Sequence, residues 1–269
     1  MRNKIGWCDM TWNTVWGCRN NCPYCYARAM AKRFWKQRYM EEFNYHLNLH
    51  PDWVWTGDHL SGLKDFRLTF LEAQFDKKFP QKTQKIFVGS MSEIKYWKKE
   101  WVEMTLDKIR QYPQHIFQFL TKFPGVYLWY KFPVNCWLGT TITDTKDYDY
   151  LEYEKFKISN PDNLKFINFE PLLNEISINL ENINWVILGA ETGDRKDRVF
   201  AKRHWIESIL INCYKKGISV YIKDSIIKWQ PQLRRFKGFP KNKNPFLNPN
   251  GGFDLVEKFP GIDYMPYER

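Results

Sequence analysis

Residues 85–121 read KIFVGSMSEIKYWKKEWVEMTLDKIRQYPQHIFQFLT. Two short apolar runs, at 85–90 and 116–121, are rich in Val, Ile and Phe, as strands buried on both faces are. Between them, residues 100–111 carry apolar side chains at the spacing of one helical face. A strand, a helix and a second strand in succession predict two parallel strands covered by a helix.

The same alternation recurs along most of the chain. Further short apolar runs lie at 12–16, 136–142, 165–170, 185–190 and 219–223. Helical patterns occupy 26–43 and 204–215, and Gly217 is placed to end the second of them. Repeated units of this kind predict an α/β fold, a partial TIM-like (β/α) barrel with parallel strands and outer helices. An open doubly wound sheet is the alternative.

The domain organisation follows from where this alternation starts and stops. We expect one barrel domain over residues 1–229, with an insertion at about 44–84. That insertion is long for a loop, so it is expected to hold a helix or a lid. Residues 230–269 are rich in Pro, Lys and Asn, and we expect a basic, irregular extension packed on the barrel.

Polar residues follow almost every apolar run. They are Cys18, Cys22, Cys25, Ser90, Ser92, Thr121, Lys122, Thr141, Thr143, Glu170, Glu191, Thr192, Lys223 and Asp224. In both candidate folds, ligands bind beyond the carboxyl ends of the strands. Some of these residues are expected to serve only as caps and turns. The others place the candidate chemistry at one edge of the sheet.

The stretch GCRNNCPYCY, residues 17–26, contains three cysteines in the spacing C-x3-C-x2-C. Without an export signal the thiols are expected to be reduced, and clustered thiols then indicate a metal. Three cysteines can hold a [4Fe-4S] cluster and leave one iron open for a small ligand. The alternative is structural zinc with four thiolates, for which Cys8 is the candidate fourth ligand.

Charge and aromatic content both bear on the partner. The chain has 269 residues, with 41 Lys and Arg against 30 Asp and Glu, a net charge of +11, and 18% aromatic residues. Cations and flat side chains suit nucleic acid, although solvated lysines and buried rings give the same composition. No apolar run approaches the ~18 residues of a membrane span, and no secretory signal is visible. We therefore expect a cytoplasmic protein with no membrane partner.

The three-cysteine motif, followed by an aromatic residue and a helix, resembles that of the radical S-adenosylmethionine (SAM) superfamily. More narrowly, the chain resembles a family of phage proteins, Gp37/Gp68, also called DUF5131. The matching stretches include WCDMTWNTVWGC, CPYCYA, VGSMSEI, FEPLL, WVILGAETG and YIKD, between Trp7 and Asp224. The cysteine motif is also similar to that of spore photoproduct lyase, which repairs thymine dimers in DNA.

This resemblance implies a radical SAM barrel and assigns roles to the polar residues. Cys18, Cys22 and Cys25 are expected to ligate a [4Fe-4S] cluster that reduces SAM to methionine and a 5′-deoxyadenosyl radical. The residues expected to contact SAM are Tyr24 (against the adenine), Ser90, Ser92, Thr121, Glu170, Glu191, Thr192 and Lys223. Lys122 and Glu170 are also candidate catalytic residues. Cys136 or Cys8 is a candidate thiol for returning a hydrogen atom to a substrate radical, against the default of a buried, inert thiol.

Three hypotheses for function remain open at this stage. The first is a radical SAM enzyme that repairs or modifies nucleic acid or a nucleotide-derived substrate. The second is a radical SAM enzyme acting on a small metabolite or a peptide. The third is a zinc-stabilised nucleic-acid binder without catalysis. Both enzymes need an electron donor such as flavodoxin or ferredoxin, and the sequence leaves the oligomeric state open.

Overall fold

Seven parallel strands form the central sheet of the protein. The structure is a computed structural model that describes residues 5–49 and 57–240. The strands of the central sheet are β1 (Met10–Trp12), β4 (Lys85–Val88), β5 (Ile116–Thr121), β6 (Cys136–Thr141), β7 (Leu164–Phe169), β8 (Trp185–Leu188) and β9 (Ser219–Ile222). Two further short strands, β2 (Val15–Trp16) and β3 (Thr69–Phe70), pair with each other in antiparallel fashion.

The order of the strands in the sheet distinguishes between the two predicted folds. The order is β1-β4-β5-β6-β7-β8-β9, so each strand lies beside the next strand of the sheet along the chain. A doubly wound sheet reverses its strand order at a switch point, and this sheet has no reversal. The sheet is curled into a half-barrel, so the predicted partial (β/α) barrel is confirmed and the open doubly wound sheet is wrong.

Trp7 lies inside the curl of the sheet and contacts rings from distant strands. Its ring centroid is 4.7 Å from Phe87 on β4 and 6.2 Å from Trp185 on β8. In a flat sheet, four strand spacings would separate β4 from β8 by about 19 Å. One ring can contact both only because the sheet bends around it. Aromatic side chains therefore fill this part of the interior of the half-barrel.

The apolar run at 12–16, predicted as one strand, is divided between two sheets. Trp12 ends β1 in the central sheet, whereas Val15 and Trp16 form β2 and pair with β3. The two residues between them bind distant segments. The Asn13 side chain accepts from the Ser90 hydroxyl at 3.0 Å, and the Thr14 carbonyl accepts from Leu71 N at 2.8 Å. These bonds turn the chain out of the central sheet.

The helices of the described residues are α1 (Tyr26–Leu49), α2 (Glu72–Phe75), α3 (Lys99–Arg110), α4 (Tyr150–Ile158), α5 (Arg203–Lys215) and α6 (Asp224–Ile227). Of these, α1, α3 and α5 correspond to the helices that the sequence predicts at 26–43, 100–111 and 204–215. Short 3-10 helices occupy Asp58–Leu63, Ile94–Tyr96, Pro124–Leu128, Thr145–Asp147 and Pro231–Arg235. Gly217 ends α5 with φ +65°, and Ile218 N donates to Cys213 O at 2.9 Å, as in a Schellman cap.

The expected insertion at 44–84 contains the end of α1, a 3-10 helix, β3 and α2. Residues 50–56 lie outside the described residues. Glu42 of α1 is buried and accepts a hydrogen bond from Ala73 N of α2 at 3.0 Å, so a carboxylate anchors the insertion to α1. Among the described helices, none has a stretch apolar and long enough to cross a bilayer.

The segment after α6 runs back along the edge of the sheet. Ile222 N donates to Phe236 O at 2.7 Å, and Gly238 N donates to Val220 O at 2.8 Å. The indole of Trp185 donates to Gly238 O at 2.9 Å. This part of the predicted extension covers the outer edge of β9. The rest of the extension, residues 241–269, lies outside the described residues.

Gly139 on β6 faces the interior of the half-barrel and contacts the Phe166 ring. A Cβ at this position would lie 2.2 Å from that ring. We expect Gly139→Ala to lower the free energy of unfolding by about 1–3 kcal/mol, because the ring must move. Urea denaturation of Gly139→Ala in the wild type and in a Phe166→Leu background measures this effect. Because leucine lacks the ring tip, the cost should shrink there, and an equal cost in both backgrounds would contradict the steric explanation.

Burial of Glu42 gives the stability of the fold a pH dependence. Burial raises the pKa of this carboxyl to about 7. The folded state then holds a proton that the unfolded chain has lost above its ordinary pKa of about 4.3. Stability should therefore fall as the pH rises from about 4.5 to 7, by up to about 3 kcal/mol.

Glu42→Gln should remove this fall and be more stable than wild type at pH 8. Glutamine keeps the acceptor for Ala73 N and replaces an oxygen, Glu42 Oε1, that has no hydrogen-bond partner among the described residues. Urea denaturation at pH 5 and pH 8 measures the difference. Glu103→Gln, at a half-exposed ion pair with Lys99, is the matched control. The same pH slope in Glu42→Gln and wild type would refute this assignment.

Candidate functional site

The cysteine loop, residues 17–25, joins β2 to α1 and is fastened to its neighbours by the backbone. Gly17 N donates to Met91 O at 3.0 Å, and Cys18 N donates to Phe66 O at 3.2 Å. Gly17 has φ +100°, and a Cβ there would lie 2.2 Å from Arg67 O. Only glycine fits this backbone and this close approach. These contacts fix the start of the cysteine loop next to the segment that follows β4.

The three cysteines of the loop form no disulfide, and their side chains are half-buried. Asn20 N points at Cys18 Sγ at 3.3 Å, and Arg28 N points at Cys25 Sγ at 3.4 Å. The pKa of Cys18 is raised to about 11, mainly by burial, with smaller contributions from Glu93 and the other two thiols. Within residues 5–49 and 57–240, no three His, Cys, Asp or Glu side chains are close enough to form a metal site as they stand.

Tyr24 connects the cysteine loop to the carboxyl ends of β5 and β6. Its hydroxyl lies 3.1 Å from Thr143 Oγ1 and accepts from Lys122 Nζ at 3.0 Å. The Lys122 ammonium also lies 5.4 Å from the centre of the Tyr24 ring. Three of the polar residues singled out in the sequence are thus in direct contact, although they lie up to 119 residues apart.

Ser90 and Ser92 lie in the turn after β4 and bind neighbouring protein groups. The Ser90 carbonyl accepts from the hydroxyl of Tyr26, the first residue of α1, at 2.8 Å. The Ser92 hydroxyl accepts from the indole of Trp97 at 3.0 Å. In this arrangement both serines hold the turn against α1 and the following 3-10 helix. Their expected contact with SAM stays a prediction.

Glu93, which the sequence reasoning did not single out, is the buried centre of this region. Its carboxylate accepts from the Thr121 hydroxyl and from Lys122 N, the latter at 3.0 Å. Burial raises the pKa of this carboxyl. Thr121 is therefore bound to protein and holds the end of β5 in place. The VGSMSEI stretch contains Glu93, but its partners 28 and 29 residues away are visible only in the structure.

Glu170 and Lys223 form an ion pair across the carboxyl ends of β7 and β9. Both side chains are mostly buried, at 21% and 17% exposure. The Asn168 amide donates to Glu170 at 3.4 Å. Gly189 allows this placement, because a Cβ there would lie 2.8 Å from the Glu170 side chain. The structure therefore brings these two candidates together, each as the other's partner.

Glu191 is bound to the loop that follows it. Its carboxylate accepts from Arg195 Nε at 2.6 Å, from Arg195 Nη2 at 2.9 Å and from Val199 N at 3.0 Å. These donors lower the pKa of Glu191, with the Arg195 hydrogen bonds as the main cause. Thr192 beside it is exposed. In this arrangement Glu191 organises residues 191–199, and both of its oxygens accept hydrogen bonds from that loop.

Cys136 and Cys8 are separate from the cysteine loop. Cys136 is the first residue of β6, at the amino end of the sheet and fully buried, so the structure does not bring it to the carboxyl edge. Cys8 is buried in the aromatic interior beside Trp7 and Phe87, and burial raises its pKa to about 12. Cys18 and Cys25 instead pack against a different cluster, around Trp16 and Leu60.

A groove of about 420 Å³ opens beside this network. Lys122 lines it together with Lys95, Phe123, Trp129, Tyr148 and Glu152. The Lys95 ammonium lies 3.7 Å from the centre of the Phe123 ring. Cations, aromatic rings and carboxylates thus line one space. Lys122 therefore contacts the cysteine loop through Tyr24 and reaches a cavity of ligand size through the same side chain.

Replacing Glu191 with Gln should loosen the 191–199 loop. Arg195, Lys196 and Arg198 lie in this loop, so trypsin can report its opening. We expect cleavage there to become roughly tenfold faster, because charge-assisted bonds hold the closed loop. Glu207→Gln removes an exposed i, i+4 pair with Arg203 and should leave the rate unchanged. Equal rates in Glu191→Gln and wild type would contradict the assigned role.

Comparison with known proteins places the chain in one family. A search of curated proteins and a search of solved structures found no match. A family model described as "Protein of unknown function (DUF5131)" matches residues 2–241. Since this match covers most of the 269 residues, the chain belongs to the DUF5131 family.

Proposed function

We propose that this protein is a radical SAM enzyme that binds a [4Fe-4S] cluster through Cys18, Cys22 and Cys25. The observation that carries the proposal is the position of three cysteines in one loop, next to the carboxyl edge of a curled parallel sheet. Ligands of (β/α) barrels bind at that edge. The network of Tyr24, Lys122 and Thr143 links the loop to it.

The donor set fits an iron–sulfur cluster by its chemistry. Three thiols in nine residues supply the sulfur ligands, and backbone N–H groups already point at two of the sulfurs. In the structure the thiols are not gathered into a metal site, so binding requires the loop to draw them together. Cys8 belongs to the interior cluster around Trp7, which favours three ligands over a zinc site with four.

When bound, such a cluster supplies the electron that reductively cleaves SAM. The chain's own residues would position the reactants and limit access of water. Tyr24 offers an aromatic face beside the loop, and Lys122 holds the Tyr24 hydroxyl while lining the groove. The Glu170–Lys223 pair lies at the same edge and would supply both charges to a polar ligand that separates it. An external electron donor, such as flavodoxin or ferredoxin, completes the requirements.

The groove beside Lys122 favours a nucleotide-derived substrate. Two lysines suit an anionic group, and Phe123, Trp129 and Tyr148 suit a flat ring. Nucleic acid, or a base derived from it, carries both features. A small metabolite or a peptide remains the alternative substrate class, since Asp149 and Glu152 also line the groove.

The proposal predicts iron that depends on the cysteine loop. Protein purified and reconstituted without oxygen should contain about four irons and four sulfides per chain, with broad absorption near ~400 nm. Cys22→Ala should lose most of both, because a thiolate ligand is missing. Cys213→Ala, at a buried thiol on α5, should keep the iron. Chemical reduction should release methionine from SAM in wild type and in Cys213→Ala only.

Other results would contradict the proposal in distinct ways. One zinc per chain that is lost in both Cys8→Ala and Cys22→Ala would establish the zinc-stabilised binder instead. Iron that persists in Cys22→Ala would place the cluster elsewhere. A full cluster without SAM cleavage on reduction would leave an iron–sulfur protein and remove the radical activity.

A further inference from the structure

Two aromatic side chains stand exposed on the loops that follow β8 and β9. Phe200 is 55% exposed and Trp229 is 68% exposed. Their ring centroids are 5.8 Å apart and the rings are nearly perpendicular, at 88°. We call this pair and the neighbouring Arg198 the aromatic rim. Large apolar side chains that contact each other in solvent indicate a binding surface more often than isolated ones do.

The aromatic rim lies in segments of the chain that are rich in basic residues. Arg198 lies over the Phe200 ring, 4.4 Å from its centre. Residues 194–203 and 223–237 together contain ten basic and three acidic residues. These two segments therefore carry a net charge of +7, out of +11 for the whole chain. The exposed rings therefore lie among basic residues, which favours attraction of an anionic partner.

Ion pairs hold the aromatic rim in shape. Glu191 fixes the first loop through Arg195 and Val199 N. In the second segment, Lys237 donates to Asp224 at 2.8 Å. The Glu191 contacts are the stronger anchor, because the Lys237–Asp224 pair is largely exposed and contributes little. Both loops leave the carboxyl ends of their strands, the edge that carries the Glu170–Lys223 pair.

We propose that the aromatic rim binds single-stranded nucleic acid, with a base stacked on Trp229 or Phe200 and a phosphate beside Arg198. Stacking requires a base whose face is free, which a single strand offers and a duplex does not. The Arg198 guanidinium donates to Gly193 O at 3.1 Å, and its remaining N–H groups can serve a phosphate. That this binding serves to recognise a substrate rests on the proposed function. The binding itself requires no iron–sulfur cluster.

The test is fluorescence anisotropy of a labelled 12-nucleotide single strand with cluster-free protein, at 50 and 200 mM salt. Trp229→Ala and Phe200→Ala should each weaken binding about 5- to 100-fold. Arg198→Ala should lower the salt dependence by about one phosphate contact, a change of about 0.7 in the log–log slope. Tyr214→Ala is the control, since Tyr214 is 51% exposed near the carboxyl end of α5, away from this edge.

Several outcomes would overturn the inference. Binding of Trp229→Ala and Phe200→Ala equal to that of Tyr214→Ala would do so, and so would equal affinity for a duplex of the same length. Vesicles containing phosphatidylserine are tested in parallel. If the vesicles are bound, the strand is not, and both rim substitutions abolish vesicle binding, then the surface recognises lipid.

The two proposals fail separately in these measurements. In one outcome, the protein binds the single-stranded nucleic acid through the aromatic rim and yet never takes up iron. That result would keep this inference and reject the radical SAM function. Cleavage of SAM by a protein that does not bind the single-stranded nucleic acid would keep the radical SAM function and reject this inference. Thermal unfolding of each variant identifies any loss of binding caused by a loss of fold, and Trp229→Phe should restore part of the affinity if stacking is the cause.

Discussion

The bend of the sheet around its aromatic interior is the constraint on which the rest of the structure depends. Trp7 contacts rings from β4, β7 and β8, with centroids 4.7 to 6.2 Å away. The space is so full that Gly139 must lack a side chain beside Phe166. When a parallel sheet curls, the carboxyl ends of its strands come close together along one edge. Residues that lie 119 positions apart, such as Tyr24 and Thr143, can therefore share a hydrogen bond.

Polar residues take over where this aromatic packing ends. The buried Glu93 carboxylate joins the turn after β4 to the end of β5, and Lys122 joins β5 to the cysteine loop through Tyr24. Because each bond connects a different strand end, the edge is held as a single surface. A buried carboxylate is stabilising only when its donors are present, so the loss of one bond here affects several elements.

The sequence predicted most of the fold because buried strands are short apolar runs and helices carry one apolar face. The run at 116–121 matches β5, and the stripe on α5 is buried as expected. The run at 12–16 is predicted as one strand because Trp12, Val15 and Trp16 favour strands. Its division depends on Asn13 and Thr14, whose partners Ser90 and Leu71 are distant in sequence. Local patterns contain no information on such contacts.

Local sequence patterns also do not show which partners the candidate glutamates bind. Glu170 and Glu191 both follow apolar runs, yet Glu191 is engaged by Arg195, whereas Glu170 pairs with Lys223 from another strand. An ion pair between strand ends is satisfied in the absence of ligand, so any ligand that separates it must replace both charges. A neutral apolar ligand cannot do so. Under the proposed function, ligands that carry an anionic and a cationic or hydrogen-bonding group, such as nucleotides and amino acids, would meet this requirement, and the pair would then select among ligands at this edge.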